Sequence, residues 1–71
     1  MNKLYYIEHI LTKYQIEKKD LEIRLEEIVN RERFSFKDVD EILEKMSNVI
    51  NKINIWTNCL EAVKPKENGS N

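Results

Sequence analysis

Few side chains in this 71-residue chain have types suited to chemistry. It has one histidine, His9, and one cysteine, Cys59. Glu8 adjoins His9, but consecutive helical residues point in different directions, so the two do not form a base and its orienter. A reactive thiolate needs a cation or base beside it. On its own helical face Cys59 finds only Lys52 and Lys45, seven and fourteen residues back. It therefore reads as a small half-buried side chain, and His9 as a surface residue. A structural zinc takes four ligands, and His9 and Cys59 are the only soft ones. A phosphate-cradling loop needs closely spaced glycines, and the one glycine is Gly69 near the C-terminus. The many carboxylates alternate with bases at helical spacing. Glu41–Lys45, Asp20–Arg24 and Glu27–Arg31 are i,i+4 pairs of a solvated face. The expectation is a non-enzymatic protein with no metal and no cofactor.

Composition narrows the class further. The chain is 35% charged, 41% hydrophobic and 8% aromatic. Twelve Lys or Arg stand against thirteen Asp or Glu, for a formal net charge of −1. Nucleic-acid binding wants a basic stripe, and the bases gather only in a small patch at Arg24, Arg31 and Arg33. No apolar run approaches the ~18 residues of a membrane span. Lys3 stands ahead of a short apolar stretch broken by Glu8 and His9, which is not a signal peptide. With the lone cysteine, this reads as a cytoplasmic protein. A domain this small buries only ~60% of its unfolded surface and usually needs a disulfide, a metal or a partner. One cysteine makes no intramolecular disulfide, so a partner is expected: a second copy or another protein.

Those few side chains have to be placed by helices. Residues 3–33 and 36–63 contain no Gly or Pro. In the first segment Leu4, Ile7, Leu11, Tyr14, Lys18, Leu21, Leu25 and Ile28 alternate spacings of three and four, a heptad seam interrupted only by Lys18. In the second, Val39, Ile42, Met46, Val49, Ile53, Trp56, Leu60 and Val63 repeat the pattern without a break. Neither segment alternates with the period of two that a strand needs. Ser35 predicts the N-cap of the second helix, with Asp38 completing a capping box and Phe34 stapling onto Val39. Asp38, Asp40, Glu41 and Glu44 place negative charge near the positive end of its dipole. The predicted fold is all-α, an antiparallel two-helix hairpin. Helix 1 covers about 3–32, the turn 33–35, helix 2 about 36–63, and a disordered tail 64–71. Each helix is roughly 40–45 Å long at 1.5 Å per residue.

Some apolar residues fall off these seams. On helix 1 they are Tyr5, Ile16 and Ile23, where His9, Ile16 and Ile23 repeat every seven residues away from the seam. On helix 2, Leu43, Ile50 and Cys59 flank the seam and Ile55 lies elsewhere. An exposed Ile or Leu forgoes roughly 1.5–3 kcal/mol of burial. Tyr5, Ile16, Ile23, Leu43, Ile50 and Ile55 are therefore the expected partner-binding residues. Trp56 reads as core or as an interface anchor. Lys18 reads as a snorkelling lysine or as a residue that sets register.

The stretch Leu21-Glu22-Ile23-Arg24-Leu25, the turn, and the apolar run Val49-Ile50-Asn51-Lys52-Ile53-Asn54-Ile55-Trp56 give residues 15–63 a pattern. It resembles the small helical-hairpin co-chaperones of type III secretion needle subunits. The resemblance implies that the hairpin packs onto a tetratricopeptide-like chaperone and that the pair holds a needle subunit monomeric in the cytoplasm. The alternative is a homodimeric four-helix bundle, a regulator of phage or plasmid origin able to bind RNA.

Overall fold

The computed structural model describes residues 2–64. The tail expected to be disordered lies, from residue 65 on, outside the described residues. Two helices, α1 (Lys3–Val29) and α2 (Phe36–Val63), pack against each other along their lengths as a hairpin. The described residues contain no strand. The molecule measures 56 × 22 × 15 Å, and its radius of gyration is 16.8 Å. A globule of this length would have a radius of about 11 Å. The hairpin is therefore a flattened rod, with two broad faces and two narrow edges.

The heptad seams make the contact. Among the described residues Ile7, Leu21 and Val49 are buried, at 6%, 5% and 5% exposure. The other seam positions from Leu4 to Ile28 and from Val39 to Leu60 are half-buried, while Val63 at the open end is exposed. Lys18 is half-buried within the seam. Ile10 is half-buried beside the seam as well. Most of a helix's stability in a protein comes from packing its apolar face, so burial of the seam is what holds these two.

The helix ends differ from the sequence expectation in two places. At the start of α2, Ser35 has extended backbone and its carbonyl accepts from Val39 N–H at 3.2 Å, so it is the N-cap residue. Its side chain makes no capping hydrogen bond. The rings of Phe34 and Phe36 instead meet edge-on across Ser35, 5.3 Å between centroids at 70°. That aromatic contact sets the chain's entry into the helix, and Asp38 supplies first-turn negative charge. At the end of α1, the helix stops at Val29, three residues before the expected boundary. Asn30 caps it: its N–H donates to the Glu26 carbonyl, and the Arg31 N–H donates to the Ile28 carbonyl, each at 3.1 Å. The next seam position after Ile28 is Glu32, which has nothing apolar to bury, so no packing rewards another turn.

The N-terminus of α1 carries a cap that the sequence reading did not name. The Asn2 carbonyl oxygen accepts from Leu4 N–H at 2.9 Å and from Tyr5 N–H at 3.4 Å. Asn is among the strongest N-cap residues because its short side chain reaches back to these unpaired donors.

Candidate interaction surface

The register across the hairpin follows from its short connection. At mid-length the stretch of Lys13, Tyr14 and Glu17 on α1 lies beside that of Lys45, Asn48, Val49 and Lys52 on α2. The Lys52 Nζ lies 5.8 Å from the centroid of the Tyr14 ring, which fixes this register at mid-length.

One broad face is charged at its centre. Lys13, Tyr14 and Glu17 of α1 meet Lys45, Asn48, Val49 and Lys52 of α2 around an open groove of about 360 Å³. The groove interleaves lysines with one carboxylate and holds no histidine or cysteine. Towards the open end the same face carries Tyr6, Ile10, Ile55 and Cys59. Ile55 is 59% exposed, and Cys59 is half-buried.

The opposite broad face is the apolar one. Phe36, Leu43 and Ile50 recur every seven residues along α2, all on the same side of its seam. Val29 continues the strip onto α1 beside Phe36. All four are exposed, Phe36 most of all at 78%. Ser47, between Leu43 and Ile50, is small and lets another helix approach. Glu22, Glu26 and Asp40 rim the strip, and Tyr5, at 71% exposure, lies on this face at the open end.

The narrow edge of α1 carries the remaining off-seam residues. His9, Ile16 and Ile23 point directly away from α2, and Ile16 is 66% exposed. Thr12 beside them turns its hydroxyl back onto the Glu8 carbonyl at 3.0 Å. His9 shares a shallow depression with Tyr5, Glu8 and Thr12.

The residues expected to bind a partner therefore divide into three groups. Leu43 and Ile50 share the apolar face with Tyr5. Ile16 and Ile23 stand on the α1 edge, and Ile55 is on the charged face. Trp56 is half-buried in the seam between the helices. Phe36, Phe34, Val29 and Tyr6 are exposed apolar residues that sequence reasoning missed. The signal for Phe36 was present, since it stands seven residues before Leu43. Of the three expected i,i+4 ion pairs, Asp20–Arg24 closes, at 3.2 Å between Asp20 Oδ2 and Arg24 Nε. Lys64 and Glu61 approach to 4.0 Å. Both pairs are well exposed and contribute little.

Among the described residues no three His, Cys, Asp or Glu side chains converge to hold a metal ion. No helix is long and apolar enough to cross a membrane. No known protein family matches the chain, and no curated protein or solved structure matches it either.

Proposed function

We propose that this chain is a non-enzymatic protein-interaction module that lays a broad face of its hairpin against the helices of another chain. The observation that carries this reading is the strip of Phe36, Leu43 and Ile50, continued by Val29 and exposed on one face. Scattered apolar residues are ordinary on a surface, whereas several in register on one face are the mark of an interaction site. A chain with three buried residues among those described also gains more from a partner than a large domain would. A small cytoplasmic co-chaperone or adaptor is the form this module takes if the resemblance of residues 15–63 is followed. Its partner would then be a tetratricopeptide-like chaperone, whose helices suit a helical face.

The test is capture of binding partners from the native host by the wild-type chain and by a Leu43→Glu, Ile50→Glu variant. The reading expects a defined helical protein, or further copies of the chain, to bind the wild type and to be lost from the variant. Equal capture by the two would overturn it.

A further inference from the structure

We infer that the face bearing Phe36, Leu43 and Ile50 takes a basic amphipathic helix of another protein, one whose aliphatic stripe is bordered by Lys or Arg. The inference rests on the docking function proposed above and names the chemistry of its occupant.

Charge distinguishes the two broad faces. The seven-residue register puts Glu8, Glu22 and Glu26 of α1 and Asp40 and Glu61 of α2 on the apolar face. Lys19 is the one base that the two helices place there. The opposite broad face is balanced, with five acidic and five basic residues in the two helices. The net charge of −1 therefore conceals one strongly negative face. Glu8 shares a depression with Tyr5, so the acidic border reaches the open end as well as the turn. Glu61 has Lys64 at 4.0 Å. Glu8, Glu22, Glu26 and Asp40 form no ion pair with a described residue.

This border selects the occupant. A second copy laid face to face would set negative charge over negative charge and strip water from carboxylates that have no cation. Lys or Arg beside an aliphatic stripe does the reverse. Their long stems extend the apolar contact over the rim, and their charged heads reach the carboxylates. Such complementarity decides which partner binds and in which orientation, while the strip supplies the burial.

The spacing of the strip selects a helix. Phe36, Leu43 and Ile50 stand about 10.5 Å apart along α2 at 1.5 Å per residue, which is the seven-residue repeat of a partner helix. Side chains on one face of a strand recur every ~6.7 Å and would miss these anchors. The strip runs about 21 Å from Phe36 to Ile50, so four helical turns cover it.

The experiment follows two labelled helical peptides of about 18 residues by fluorescence anisotropy. Both carry a leucine stripe, bordered by lysines in one and by glutamates in the other. The chain should bind the lysine peptide at least about tenfold more tightly than the glutamate peptide, and salt should weaken that binding. Replacing Glu22→Gln, Glu26→Gln and Asp40→Asn together should weaken it at least about tenfold. Replacing Glu17→Gln, Glu27→Gln and Glu41→Gln removes the same charge from the opposite face and should leave it nearly unchanged. Leu43→Gln with Ile50→Gln keeps the charge and should weaken it at least about a hundredfold. Circular dichroism checks that each variant keeps its helices. Equal binding of the two peptides overturns the inference. So do equal losses from the two triple variants, a lysine peptide that does not bind, or a wild-type chain that pairs with itself through Leu43 and Ile50. Where peptide binding or self-pairing is still lost with Leu43→Gln and Ile50→Gln, the docking function stands and the basic partner alone is refuted. Binding that is indifferent to both residues refutes the docking function too.

Discussion

The Lys52 ammonium lies 5.8 Å from the centre of the Tyr14 ring, each residue reaching across from its own helix. Tyr14 is a half-buried seam residue, and Lys52 stands beside the seam. The contact therefore ties the register of the hairpin at mid-length. A cation over an aromatic face contributes about 0.5–1 kcal/mol at an exposed site. Lys52→Met keeps the stem and removes the charge, so it should cost about that much in urea denaturation. Adding the same change to Tyr14→Leu should cost almost nothing further, because the ring is already gone.

Seam and edge substitutions should separate cleanly. Leu21→Ala opens space at one of the three buried positions and should cost about 2–3 kcal/mol, enough to unfold much of so small a domain. Ile16→Asp and Ile23→Asp change exposed positions on the α1 edge and should shift stability by no more than about 0.5 kcal/mol. Circular dichroism melts check both halves. A loss of helicity in the Asp variants would mean that the edge is covered within the molecule.

The two helix starts make a paired prediction. Asn2→Ala removes an acceptor shared by two backbone donors and should cost about 1 kcal/mol. Faster amide exchange at Leu4 and Tyr5 should accompany it. Ser35→Ala should cost much less, because its side chain makes no capping bond. Phe34→Ala should matter more than Ser35→Ala, since it removes the ring that packs against Phe36.

Lys18 interrupts an otherwise apolar seam. Lys18→Leu extends the seam without leaving a buried charge, and should raise stability by about 1 kcal/mol. A destabilised Lys18→Leu chain would show that the ammonium has a partner the seam needs.

The seams were legible because heptad spacing is a long-range periodic signal. Every seam position from Leu4 to Ile28 and from Val39 to Leu60 is buried or half-buried. The exact boundaries were less so. Ser35 and Asp38 have the right types for a capping box, but the ring contact between Phe34 and Phe36 decides the geometry there, and residue type alone does not reveal it. The surface was legible one helix at a time. That Leu43 and Ile50 share a face with Val29, while Ile55 falls on the other, depends on how α1 and α2 sit together. So does the separation of Ile16 and Ile23 onto an edge.

The most direct measurement places a photoreactive side chain at Ile50 on the apolar face, and in separate chains at Asn51 and Ile23 on the two edges. Docking through the apolar face predicts an efficient cross-link to another chain from position 50 and little from 51 or 23. Equal cross-linking from all three positions, or none from position 50, would contradict it.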